Sequence, residues 1–346
     1  MHLDEASGNS HDAQPVAGRR VLVVGATGYI GRIVTRELVN RGCQTVCFVR
    51  ERSGVGAAHG IDEARQRLAG AELRFGDVCD VQSVQRDGFR GEHFDAVVSC
   101  LATRTGGVED AWRIEYEAAH NVLTAAQALG VRQFVLLSAI CVQKPRLAFQ
   151  HAKLAFEQAL MASPLTWSII RPTAFFKSLS GQLTAVSRGK PYVMFGDGEL
   201  TACKPISERD LACFMVECLS DPARWNRILP IGGPGPALSP RQQGDLLFEL
   251  TGRTPRFRRV PLRLFDLIIA TLAGLSRVIP ALADKAEFAR IGRYYASESM
   301  LLWNPDTGEY DAANTPSFGH DTLREFYARA LREGLAEQQL GDHSMF

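Results

Sequence analysis

The chain has 346 residues, 46% of them hydrophobic and 22% charged, with a formal net charge of +1. That balance describes a globular protein with material for a large core, and it excludes both the basic footprint of a nucleic-acid binder and the composition of a disordered chain. Eight cysteines are scattered without a CxxC pair, so buried thiols in a reducing compartment explain them better than disulfides, a metal site or an iron–sulfur cluster.

Residues 1–17 are polar and read as a mobile tail. They lack the apolar run of a signal peptide, and Asp4, Glu5 and Asp12 oppose a transit peptide. Residues 20–24 then form a nearly continuous apolar run, the pattern of a strand buried on both faces. Gly25-Ala26-Thr27-Gly28-Tyr29-Ile30-Gly31 follows and opens a segment with apolar residues at Ile30, Ile33, Val34 and Leu38, which is helical spacing. The glycines permit the turn and let backbone amides approach a pyrophosphate, while the positive end of the helix faces the phosphates. Gly25, Thr27, Gly28, Tyr29, Ile30 and Gly31 are therefore candidate dinucleotide contacts. Their GxxGxxG spacing departs from GxGxxG and leans toward the extended and atypical short-chain dehydrogenases.

A second strand at residues 45–49 ends in Arg50, with Glu51, Arg52 and Ser53 behind it. A guanidinium there suits the 2′-phosphate of NADP, and Arg50 with Arg52 and Ser53 favours NADPH; Glu51 offers the competing choice, a ligand for the ribose hydroxyl of NAD. Residues 73–78 read as a third strand that places Asp77 and Val78 near the adenine. Residues 96–102 read as a fourth, whose end, Cys100, Leu101 and Ala102, passes beneath the cofactor. The fifth, 134–138, sets Ser138 at the carboxyl edge where ligands bind in open α/β sheets, and 169–173 is the sixth. The alternation predicts an α/β fold, a Rossmann-like doubly wound parallel sheet with a smaller C-terminal substrate lobe.

Phe149-Gln150-His151-Ala152-Lys153 falls where a short-chain dehydrogenase carries Tyr, three spacers and Lys. Lys153 is the candidate catalytic residue and a ligand for the nicotinamide ribose. With Phe149 in the tyrosine position no phenol stands ready to protonate a carbonyl, so the site suits reduction of something else, or cofactor binding without turnover. Beyond Pro172 the pattern loosens, which divides the chain into a tail (1–17), a dinucleotide-binding part (18–173) and a substrate lobe (174–346) partly interleaved with it. Residues 261–279 crowd apolar side chains but are interrupted by Arg263, Asp266 and Arg277, too short and too broken for a membrane span. A core helix is the first expectation for them; a lid over an apolar substrate and attachment to a membrane surface are the others.

Longer blocks carry a more specific signal: GATGYIG from Gly25, VSCLA from Val98, FVLLSAICVQKP from Phe134, RPTAFFKSL from Arg171, KPYVMFGDG from Lys190, CKPISE from Cys203, LPIGGPG from Leu229 and IGRYYA from Ile291. Together they resemble the divinyl chlorophyllide 8-vinyl reductases over nearly everything after the tail. The resemblance implies an atypical short-chain dehydrogenase fold, NADPH as reductant and a divinyl tetrapyrrole, chlorophyllide or protochlorophyllide, whose C8 vinyl group becomes ethyl in chlorophyll or bacteriochlorophyll synthesis. The scattered cysteines and the lack of a transit-peptide pattern agree with a bacterial, cytoplasmic enzyme, with peripheral membrane contact as an option.

Such chemistry would place Pro172, Thr173 and Phe175 on the nicotinamide side. Cys141, His151, Lys177, Tyr294 and water are the candidate proton sources, with His151 expected to be exposed. Phe175, Phe176, Tyr294 and Tyr295 could stack on a macrocycle, and Lys177, Lys204 and Arg293 could pair with a propionate. Two rivals remain on the same residues: a non-catalytic NADP-binding sensor or pigment-protein assembly factor, and a different olefin reductase.

Overall fold

The computed structural model describes residues 16–52, 60–103, 106–280 and 282–334. Residues 1–15 of the expected tail, and Ser53, lie outside these residues.

The apolar runs become strands of one parallel sheet. In chain order they are β1 (Arg20–Val24), β2 (Gln44–Val49), β3 (Glu72–Phe75), β4 (Ala96–Ser99), β5 (Gln133–Leu137) and β6 (Thr166–Pro172). β7 (Tyr192–Phe195) lies outside the sheet and β8 (Arg227–Ile231) returns to it. The order is β3-β2-β1-β4-β5-β6-β8, so the topology reverses between β1 and β4, the place where open α/β sheets bind ligands. Two strands are shorter than the sequence suggests. The third stops at Phe75 and the fourth at Ser99, because the chain past each leaves the ladder to form the cleft edge; Asp77, Val78, Cys100, Leu101 and Ala102 are loop residues.

Helices cover both faces: α1 (Tyr29–Asn40), α2 (Ile61–Arg67), α3 (Val81–Ser83), α4 (Val108–Ala111), α5 (Ala119–Ala128), α6 (Ala148–Met161), α7 (Leu183–Ser187) and α8 (Glu208–Glu217). A π-helical stretch, Trp112–Ala118, joins α4 to α5. One core layer packs α1 and α8 on the sheet through Val34, Leu38, Leu211 and Met215; the other packs α5 and α6 through Val122, Ala126, Phe156 and Leu160. Both α8 and β8 come after residue 173, so the later half of the chain contributes to the dinucleotide-binding layer.

The remaining elements are α9 (Pro240–Thr251), β9 (Phe257–Val260), α10 (Arg263–Leu275), α11 (Leu282–Tyr295), β10 (Leu302–Asn304), β11 (Glu309–Asp311) and α12 (Leu323–Glu333). β7 pairs with β9 in a small parallel sheet backed by a third core cluster of Phe176, Phe248, Phe326 and Tyr327. The core-helix expectation for 261–279 fails: α10 buries none of its residues. Leu267 is 64% and Val278 82% exposed, because α10 packs on α11 and, through Phe265, on Phe195 of β7, and turns its wide apolar face outward. No helix among the described residues is long and apolar enough to cross a membrane. All eight cysteines are free thiols, and Cys79 and Cys213 are only partly buried.

Candidate active site

The turn between β1 and α1 is closed by backbone. Gly25 adopts φ +75°, and a Cβ there would stand 2.4 Å from the Cys100 carbonyl oxygen; at Gly31 a Cβ would meet the Gly25 carbonyl at 2.2 Å. Only glycine lets β1, the β4 exit and the first turn of α1 come this close. Gly28 precedes α1 without a side-chain cap, so the first amides of the helix are directed by backbone toward the cleft. This cradle fits a dinucleotide pyrophosphate on its own geometry, since a positive helix end and glycines that admit close approach coincide at the topological switch. Ile30 contributes only backbone there, because its side chain is in the core.

Around the cradle, the Tyr29 hydroxyl donates to Glu208 Oε2 at 2.7 Å, and its phenol is pushed far up by burial and then by the Glu208 charge. Lys177 Nζ stands 4.7 Å above the Tyr29 ring; burial, then the nearby Arg32 charge, lowers its pKa. Phe175 lies 6.4 Å from the same ring. Arg50 and Arg52 are exposed just past β2, and Asp77 is exposed with Oδ1 accepting the Cys79 amide at 3.0 Å.

Lys153 is not the surface lysine its helix position permits. It is 11% exposed and its Nζ donates to Glu115 Oε2 at 2.7 Å, while Glu115 Oε1 accepts the Thr103 amide at 2.9 Å. Ser99, Leu101, Glu115, Ser138, Lys153 and Phe156 are among the residues around a cavity of about 10 Å³, the size of one water. The buried Ser99 hydroxyl in that lining has no hydrogen-bond partner among the described residues. The structure thus gathers the ends of β4 and β5 and the α6 lysine, as the sequence pattern implies, and Phe149 beside them is buried.

Other expected side chains are committed elsewhere. Ser138 donates to the fully buried Glu157, which also holds Arg171. Thr173 donates its hydroxyl to the Lys204 carbonyl and its amide to the Ile231 carbonyl, so its hydroxyl oxygen can serve a ligand only as an acceptor, and Pro172 is buried at the end of β6. Lys204 is held by Thr315 and Ser317, and Arg293 by Asp266. His151 is exposed as expected. Tyr294 donates to the carbonyls of Cys141 and Lys144, and Tyr295 to Cys141 Sγ at 3.7 Å. Burial raises the Cys141 thiol and Tyr295 phenol, and lifts Cys100 to about 12.

Sequence reasoning missed Glu115 and Glu157. Each carboxylate sits in an ordinary amphipathic pattern, and only the tertiary fold shows which faces inward.

A family model described as NAD(P)H-binding matches residues 25–222. The divinyl chlorophyllide a 8-vinyl-reductase of Oryza sativa subsp. indica is 54% identical over 331 residues, covering 94% of this chain and 82% of the relative. The photosystem II assembly factor Ycf39 of Guillardia theta is 25% identical over 272 residues, covering 78% and 82%. Among solved structures, an NADPH-dependent quinone oxidoreductase of Escherichia coli superposes with a TM-score of 0.64 at 17% identity, covering 89% of this chain and 99% of that one, a likeness of fold. The expectation of a bacterial cytoplasmic protein is overturned, because the relatives from rice and other plants are chloroplastic enzymes. With the glycine cradle, the buried lysine and these similarities together, the chain belongs to the divinyl chlorophyllide a 8-vinyl reductases, NADPH-dependent enzymes that reduce the 8-vinyl group in chlorophyll biosynthesis.

Proposed function

We propose that NADPH lies along the carboxyl edge of the sheet with its nicotinamide end at Lys153, and that residues 174–346 present the divinyl chlorophyllide or protochlorophyllide to it. The buried Lys153–Glu115 pair, set among the exits of β4 and β5 with Phe149 where a tyrosine would stand, carries this reading. Arg50 and Arg52 would pair with the 2′-phosphate, together with Ser53 beyond the described residues. Asp77 and Val78 would flank the adenine; Gly25, Thr27, Gly28, Tyr29, Ile30 and Gly31 would hold the pyrophosphate. Cys100, Leu101, Ala102 and Ser138 would floor the cleft, with Pro172, Thr173 and Phe175 toward the nicotinamide.

NADPH supplies a hydride, which a vinyl group conjugated to a macrocycle accepts at its terminal carbon because the charge spreads into the ring. No oxyanion forms, so the lost phenol is no handicap. The work left to the protein is alignment at near-attack distance, a term able to lower a barrier by several kcal/mol or more (about 7–11 at best). Lys153 would grip the ribose hydroxyls and set a positive charge beside the ring. Burial raises the pKa of Cys141 and Tyr295, so both carry their protons but release them less readily than a free thiol or phenol.

Contact with an anionic lipid surface belongs to the same reading. Leu264, Leu267, Ile268, Leu275, Val278 and Ile279 form an exposed apolar face, and Arg258, Arg259, Arg263 and Arg277 are exposed near it in sequence. Apolar side chains bordered by arginines match acyl chains beneath negative headgroups. The assignment of Lys153 is tested by Lys153→Met, assayed with NADPH and divinyl chlorophyllide: turnover falls about 100-fold or more, and a near-normal rate would remove the assignment.

A further inference from the structure

We propose that Glu115 is a positioning residue that fixes Lys153 for hydride transfer, a role resting on the placement of Lys153 beside the nicotinamide ribose. The carboxylate is buried, 3% exposed, and both its oxygens are engaged. One accepts Lys153 Nζ from α6. The other accepts the amide of Thr103, which directly follows Leu101 and Ala102 at the β4 exit, and the Thr103 hydroxyl donates to Asp110 Oδ2 at 2.6 Å. A single side chain therefore ties the lysine to the loop that would run beneath the dinucleotide.

The local backbone is built for this. Glu115 lies in the π-helical stretch Trp112–Ala118, where Trp112 and Arg113 face solvent and Glu115 and Ala118 are buried. Wide turns of this kind occur at functional sites because they re-aim a side chain out of the regular helical register. A lysine on its flexible four-carbon stem has many accessible rotamers. A buried carboxylate at 2.7 Å selects one of them, and it does so beside the small cavity that holds the unpartnered Ser99 hydroxyl. If stability were the only outcome, an apolar pair of similar volume would serve as well or better.

The substitution Glu115→Gln keeps an acceptor for the Thr103 amide and removes the charge that holds Lys153. In steady-state assays with NADPH and divinyl chlorophyllide it lowers kcat by about 30- to 100-fold, the scale of an ångström of misplacement. The KM for NADPH stays within about threefold, since phosphates and adenine are held elsewhere. In a Lys153→Met background the same substitution costs less than about threefold more, because its effect passes through the lysine. A Glu115→Gln kcat near wild type, or losses that multiply in the double variant, would overturn the proposal. Near-normal turnover by Lys153→Met alone removes the underlying assignment and this role with it. If Glu115→Gln fails to fold, Glu115→Asp replaces it in the same cycle: a kcat loss that vanishes without Lys153 supports the role, and an equal loss in both backgrounds refutes it.

Discussion

The β1–α1 turn and the α10–α11 pair are opposite solutions in one chain. At the turn, backbone meets backbone so tightly that two glycines have no alternative, with a Cβ at Gly31 only 2.2 Å from a carbonyl oxygen. On α10 no residue is buried, and the outward apolar side chains could change without disturbing any core. The first region is specified by what the fold requires; the outward face of the second is not. Sequence positions that look equally ordered by pattern therefore carry very different constraint.

The largest effect should come from the tight end. Gly31→Val forces two backbone segments apart and should cost about 3 kcal/mol or more, at the upper end of overpacking penalties. Thermal melting and NADPH binding both report it, and a variant of native melting temperature that still binds NADPH would break the contrast. Next is Arg50→Ala, at the rim of the same cleft. Loss of a charge-assisted contact to a phosphate is worth about 1.5–3 kcal/mol, so the KM for NADPH should rise roughly tenfold to 100-fold with that for NADH unchanged. Equal effects on both cofactors would remove the 2′-phosphate assignment and leave Glu51 as the better ribose ligand.

The smallest effect on the folded protein is expected on α10. Leu267→Glu should change stability by less than about 0.5 kcal/mol, as for ordinary surface substitutions. Its turnover on detergent-dispersed substrate should stay normal, while flotation with anionic vesicles falls sharply. Vesicle binding unaffected by the substitution, or absent from the unaltered protein, would show that the exposed face serves something other than lipid.

The dinucleotide half was legible because buried parallel strands are continuous apolar runs, and the glycine turn is a local necessity. Where the strands stop was less legible: 100–102 continue an apolar pattern, and 76–78 follow the third run without a break, while both turn out of the ladder to line the cleft. The 261–279 segment misled for a different reason, since composition registers how apolar a helix is and not which neighbour covers it. Lys153 could be found by its spacing from Phe149, but its partner could not. Glu115 is 38 residues away in sequence and is brought to it by tertiary packing alone. Ser138 and Thr173 were correctly placed at strand ends, yet their hydroxyls are satisfied by Glu157 and the Lys204 carbonyl, contacts between segments far apart in the chain.

The central claim is direct transfer of two electrons from the dinucleotide to an unsaturated carbon. It is tested most directly by incubating the purified protein with NADPH deuterated at C4 of the nicotinamide, on the transferred face, and divinyl chlorophyllide, then locating the label by mass spectrometry and NMR. One deuterium in the terminal methyl of the new ethyl group is the predicted result. Monovinyl product carrying no deuterium from the cofactor would contradict it.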